Sequence, residues 1–202
     1  MRFVGIDPST KTGFVALDQL GKVSKAKELT GINKSDSIRI ITLVDEIMDH
    51  IQPGDRVCIE GFAHAAKGNY VSQMFGIGWG IRTALTRRKV PYTEVTPSQL
   101  KKFATGKGNA KKEDLILPIY QDWGFENSSD NVRDAFILAH IAYETHLLKN
   151  GFCSAVGIDI YPYRKKIINE ILNSPEKKNG GRWRDENLPR RLNASITLYL
   201  PV

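Results

Sequence analysis

Four carboxylates, widely separated along the chain, occupy positions where an acid is costly without a partner. Asp7 ends the apolar run "RFVGID" and is followed at once by Pro8. Glu60 sits in "VCIEGFA", among residues that belong in a core. Asp130 and Asp134 stand four apart in "SSDNVRDAFILAHIAYE", a spacing that puts both on one helix face. A buried charge must be paired or bind a cation, and four acids meeting uncompensated would repel one another. Oxygen ligands without His or Cys select hard ions, magnesium or manganese. Two such ions about 4 Å apart can activate a nucleophile and stabilise the leaving oxygen of a phosphodiester. Taken singly, Asp7 also reads as a turn residue and Asp130 as a helix N-cap after Ser128 and Ser129. Glu60 has no such ordinary role, and the combination favours a metal site.

A second group of residues points to phosphate. "LKKFATGKGNAKKEDL", residues 100–115, interleaves Lys101, Lys102, Lys107, Lys111 and Lys112 with Gly106 and Gly108. Glycines let backbone N–H groups approach an anion, lysines add point charges, and a following helix N-terminus favours phosphate. A solvated loop is the ordinary alternative. Tyr70 and Phe75 flank the start of a helical stretch and are candidates to stack on or wedge a base. A core role for Phe75 is equally open.

These residues need elements to position them. Residues 2–7, 13–18 and 23–30 read as three strands joined by short turns, an antiparallel meander. Ile38, Ile41, Val44, Ile47, Met48 and Ile51 recur at helical spacing before Pro53-Gly54 stops the helix. Residues 56–63 predict a central strand parallel to the first, 69–89 a helix, 91–97 a fifth strand, and 110–123 and 128–149 two more helices. The order implies an α/β protein with a mixed five-stranded sheet flanked by helices, the RNase H-like architecture. Gly76, Gly78 and Gly80 each weaken the helix 69–89 by roughly 1 kcal/mol. Close packing, on a partner subunit or on the chain's own sheet, would explain them.

The 202 residues fit one nuclease-sized domain, 1–150, with residues 151–202 as a basic extension closing in a possible strand at "SITLYLPV". Arg182, Trp183, Arg184, Arg190 and Arg191 are its candidate phosphate contacts. A net charge of +7 and a pI near 9.4 favour a polyanionic partner. Cys58 and Cys153 form no metal-binding or disulfide pattern. With no apolar span of membrane length and no leader-like start, a reducing compartment, the cytoplasm, is expected.

In order and spacing, "GIDPSTKTGFVALD", "IEGFA", "VTPSQLKKFATGKGNAKKEDL" and "DNVRDAFILAHIA" resemble the motifs of the RuvC family of Holliday junction resolvases, phage-type members most closely. The resemblance covers about residues 1–148. It implies a homodimeric, magnesium-dependent endonuclease of a bacterial or phage-infected cell. Such an enzyme nicks two opposing strands of a four-way DNA junction, leaving 5′-phosphate and 3′-hydroxyl ends. By the same resemblance Asp7, Glu60 and Asp134 are metal ligands, with Asp130 the fourth in preference to Asn131. Lys101 and Lys112 match functional lysines, Lys112 as a catalytic one. Two other readings share the scaffold: a ribonuclease H acting on RNA–DNA hybrids, and a non-catalytic protein that binds branched DNA.

Overall fold

The computed structural model describes residues 1–62, 71–155 and 157–173. Its centre is a five-stranded sheet in the order β3-β2-β1-β4-β5, with β1 Phe3–Asp7, β2 Thr12–Leu17, β3 Val23–Leu29, β4 Arg56–Glu60 and β5 Tyr92–Val95. The first three strands form the antiparallel meander, while β4 pairs in parallel with both β1 and β5. This is the mixed sheet expected. A turn at residues 8–11 joins β1 to β2, closed by the Thr12 hydroxyl, which donates to the Ser9 carbonyl at 2.7 Å.

Alternation along the strands sorts side chains between two cores. Val4 and Ile6 of β1, with Val57 and Ile59 of β4, face helices α1 (Asp36–His50) and α2 (Val71–Arg87), where Leu43, Ile47, Ile77 and Ile81 cover them. Phe3 and Cys58 face the other side, against α5 (Asp130–Asn150). Around α5 pack α3 (Pro97–Thr105), α4 (Ile116–Trp123) and α6 (Pro162–Asn173). Phe136, Ile137, Ile141 and Leu147 are buried as expected, but the burial of α5 extends round the helix to Leu138, Ala139 and His140.

Several elements depart from the sequence pattern. Residues 97–105, expected as the end of a strand and a loop, are helix α3. Pro97 begins it, and the Thr96 side chain accepts from the Gln99 N–H while the Gln99 side chain accepts from the Thr96 N–H. The helix expected over 110–123 is a short 3-10 turn, Glu113–Leu115, followed by α4. In α1, Ile38 and Ile41 are exposed, and Leu43 with Val44, Ile47 and Met48 makes the buried stripe. The glycines of α2 are explained within the chain. A Cβ at Gly76 or Gly80 would press on Ile40 or Val44 of α1, and one at Gly78 would strike the Phe62 ring.

Beyond residue 150 the fold continues. Ile160, Ile167 and Ile168 join the core on the α5 side. Arg164 of α6 is buried, donates to the Phe103 carbonyl at 3.0 Å and pairs with Asp122 and Glu144. The strand expected at 195–202 lies outside the described residues, as do Tyr70, Arg182, Trp183, Arg184, Arg190 and Arg191.

Candidate active site

Asp7 and Glu60 end adjacent parallel strands, and both share the strand parity that faces α5: Asp7 with Phe3, Glu60 with Cys58. What brings α5 down to them is the lack of side chains beneath it. A Cβ on Gly5 would lie 1.9 Å from the Ala135 carbonyl oxygen, and one on Gly13 1.9 Å from that of Asn131. Gly13 is the cross-strand partner of Asp7. The first two turns of α5, which carry Asp130 and Asp134, therefore rest on the end of the sheet that displays Asp7 and Glu60. Ser129 caps α5, its hydroxyl accepting from the Val132 N–H at 3.3 Å, so Asp130 stands at the first helical position and is not the cap itself.

Asp7 is 6% exposed. Its carboxyl is raised well above the ordinary range by burial first, then by the neighbouring Glu60 charge, to which it is hydrogen-bonded. Glu60 is pushed up to about 7 by burial, with Asp134 adding to the shift and Lys112 and Lys101 opposing it. Asp134 is likewise raised to about 7, by burial and by the Asp7 charge. Asp130 goes the other way, lowered mainly by its hydrogen bond from the Lys112 ammonium. Burial alone would lower the pKa of Lys112, but Asp130, Asp134 and Asp7 together raise it. Five of the expected residues thus form one electrostatic unit, and Lys101 reaches its edge.

The remaining lysines stand apart from that unit. Lys102 is partly buried in the last turn of α3, while Lys107 and Lys111 are exposed. Several backbone N–H groups of the glycine loop, those of Gly106, Lys107, Ala110 and Lys111, are bonded within the chain. Gly106 caps α3 in the left-handed region and donates to the Lys102 carbonyl at 2.8 Å, and Lys107 N–H donates to Thr105. The loop runs from the C-terminal end of α3 to the start of the 3-10 turn at Glu113, where the Lys111 N–H donates to Asp114. Phe75 lies on α2, its ring stacked on Phe62 at 4.8 Å.

Among the described residues, no three His, Cys, Asp or Glu side chains are already disposed to hold one ion together. The donor set nonetheless suits a hard divalent cation. It is all carboxylate, no arginine of the described residues neutralises Asp7 or Glu60, and the acids raise one another's pKa values, a repulsion that a divalent cation would relieve.

A family model described as "Crossover junction endodeoxyribonuclease RuvC" matches residues 3–139, most of the described chain and all four acids. The chain belongs to the RuvC family. Its relatives there include RuvC of Synechococcus sp. (strain CC9605), 24% identical over 152 residues, which cover 71% of this chain and 98% of the relative. RuvC of Hydrogenovibrio crunogenus is 26% identical over 125 residues, covering 56% of this chain and 70% of that one. Among solved structures, RuvC of Thermus thermophilus superposes with a TM-score of 0.58 at 18% identity, over 75% of this chain and 97% of that chain. The same RuvC "in complex with Holliday junction substrate" gives 0.56 at 20% identity, over 71% and 94%. These likenesses confirm the RNase H-like fold.

Three residues near the RuvC-type acids carry no signal in their local sequence. Phe62 follows Glu60 by two and stacks on Phe75, Trp79 lies 5.4 Å from it with half its surface exposed, and Arg82 is buried beneath it. The aromatic triplet is visible only in the folded chain, where Phe62, just past the end of β4, lies against α2.

Proposed function

We propose that this RuvC-family chain resolves four-way DNA junctions by paired, symmetric nicks, and that it does so as a homodimer with magnesium. The observation that carries the reading is the acid cluster: Asp7, buried, and Glu60 and Asp134, half-buried, lie together at the sheet's end with raised carboxyl pKa values. The partner and its four-way form come from the family and from the Thermus relative's complex with a Holliday junction. A chain of net charge +7 suits that substrate.

Asp7, Glu60 and Asp134 would hold two magnesium or manganese ions, with Asp130 as the fourth ligand. Bound there, such ions supply a nucleophilic hydroxide and charge neutralisation at the scissile phosphate. The chain's own part is to exclude water from the floor of the site, where Asp7 is buried, and to hold the acids on rigid strand ends and a helix. Lys112 is a cation at neutral pH, and the acids around it raise its pKa further, mainly through Asp130. Its ammonium therefore sits ready to meet phosphate charge once an ion takes over Asp130. Lys101, whose charge acts on Glu60, extends the cationic rim, and Lys102, Lys107 and Lys111 would meet the arms of the junction. Tyr70, Phe75, Arg182 and Arg184 remain candidates for DNA contact. We place the enzyme in the bacterial or phage-infected cytoplasm. No helix of the described residues is long and apolar enough to cross a membrane.

The test is cleavage of four-way, forked, nicked, linear and RNA–DNA hybrid substrates in parallel, with magnesium and with EDTA. Symmetric nicks in the four-way junction alone, absent with EDTA and absent for Asp7→Asn, are the expected result. Preferential cutting of the hybrid would move the assignment to a ribonuclease H. Tight junction binding without any cut would make the chain a binding protein.

A further inference from the structure

Arg82 stands in the middle of α2 at 2% exposure. A guanidinium in such a place is costly unless its N–H groups are matched, and here they are. Nη2 donates to the backbone carbonyl of Glu60 at 2.9 Å, Nη1 to that of Gly78 at 3.0 Å, and Nε to the Glu94 carboxylate at 2.5 Å. The flat of the same group lies under the Phe62 ring, Cζ 4.2 Å from its centre. One planar side chain thus joins the end of β4, the edge strand β5 and the aromatic that follows Glu60.

The place it grips is one the sheet does not hold completely. Pairing of β1 with β4 ends at Ile6 and Ile59. Beyond that point the β4 chain is tied on the β5 side, where the Gly61 N–H donates to the Val95 carbonyl at 2.8 Å. Arg82 supplies a further bond from α2. Gly78 leaves room for it: a Cβ there would sit 2.5 Å from the Phe62 ring and 3.3 Å from Arg82 Nη1. Phe62 is held in turn by Phe75 at 4.8 Å and Trp79 at 5.4 Å.

Attaching α2 to the sheet does not require a cation. Ile77, Ile81 and Leu85 already bury that face, and apolar replacements of buried ion pairs are often neutral or stabilising. An apolar side chain cannot, however, aim a fork of donors at a carbonyl or sit as a charged plate beneath a ring. We propose that Arg82 is a positioning residue that fixes the Glu60 carboxylate and the Phe62 ring in one rigid arrangement, so that the acid and the aromatic surface beside it meet DNA together. This rests on the reading of Glu60 as an ion-holding acid.

Full-length wild type, Arg82→Lys, Glu94→Gln and Glu60→Gln are compared in three measurements: single-turnover junction cleavage, junction binding in EDTA, and melting temperature against manganese concentration without DNA. Arg82→Lys keeps the charge and loses the fork. Its cleavage rate should fall about tenfold or more while the junction Kd stays within about twofold, and its manganese midpoint should rise about fivefold. Glu94→Gln, which takes away the carboxylate charge facing the fork and so weakens its solvent-side bond, serves if Arg82→Lys does not fold and should shift both quantities the same way by about threefold. A merely structural Arg82 would leave rate and manganese midpoint at wild-type values in folded protein, and that result overturns the proposal. So does a change confined to junction Kd. Glu60→Gln that still cleaves would instead refute the underlying role of Glu60, whatever the arginine variants do.

Discussion

Replacing Asp134 with asparagine should make the metal-free protein more stable at neutral pH while destroying its activity. Asp134 is largely buried on α5 and titrates at about 7 instead of 3.8, because burial disfavours its charge and Asp7 repels it. The unfolded chain releases that proton near the ordinary value, so between the two values the folded protein holds a proton the unfolded chain has lost. The stability supplied by the neutral carboxyl is full below the unfolded value and is lost as pH rises through about 7. At about 1.4 kcal/mol per decade of pH, the whole effect is about 4 kcal/mol by pH 7. Burial is the largest cause, and an amide also resists burial, so the net gain expected for Asp134→Asn is about 2 kcal/mol. In a chain of this size that raises Tm by roughly 4–8 °C.

Thermal melts of both proteins in EDTA, from about pH 4 to pH 8, read this directly. The curves should coincide near pH 4, separate through the interval, and differ by the full amount near pH 7.5. Manganese should then close the gap by raising wild type more than the variant, since an ion that binds only the folded cluster stabilises the protein that has all its ligands. If the variant melts below wild type at neutral pH, or the gap is the same at every pH, the acids are satisfied by protein partners and the reasoning fails.

Three further outcomes follow from single contacts. Lys112→Met should slow junction cleavage by about tenfold or more and let the Asp130 carboxyl rise toward its usual range, since the Lys112 hydrogen bond is the largest cause holding it down; carbon NMR of the side chain and a cleavage assay report the two effects. Gly13→Ala should cost about 3 kcal/mol or more in urea unfolding, because its Cβ would fall 1.9 Å from the Asn131 carbonyl oxygen and push the start of α5 off the sheet. Cleavage should be lost even where the variant is folded. Arg164→Leu leaves Glu144, whose carboxyl is already raised to about 7 by burial with Arg164 restraining the rise, buried without its cation. It should destabilise by about 3–5 kcal/mol, and more at pH 8 than at pH 5, because the stranded carboxyl resists ionising as pH rises.

Those contacts also show which parts of the molecule could be read from the sequence. The meander, β4 and the long α5 follow from short apolar runs between turns and from helical spacing, which are properties of consecutive residues. The acids were legible because an acid in an apolar run is a local anomaly. Helix α3 was hidden by the short β-like run "TEV" ahead of it. Pro97 does not end that strand but begins the helix, and the reciprocal Thr96–Gln99 pair is the signal for it. Gly106 was legible as a backbone position of special geometry but not as to which kind: a left-handed helix cap and a phosphate loop both require glycine. Arg82 offered nothing at all, since a single cation on an amphipathic helix looks like any surface residue until β4 and Phe62 are seen to fold onto it.

The same distinction explains why the acid cluster exists. Asp7 and Glu60 would be neighbours in any sheet with this strand order, so the sheet alone accounts for two of the acids and their mutual repulsion. Asp134 arrives only because Gly5 and Gly13 let the backbone of α5 touch the strands. A side chain at either position would lift the helix and remove its acids from the sheet end. The glycines in "VGIDPSTKTG" are therefore as much a part of the site as the aspartate between them. Their contribution is a distance, set by backbone contact, and the carboxylates inherit it.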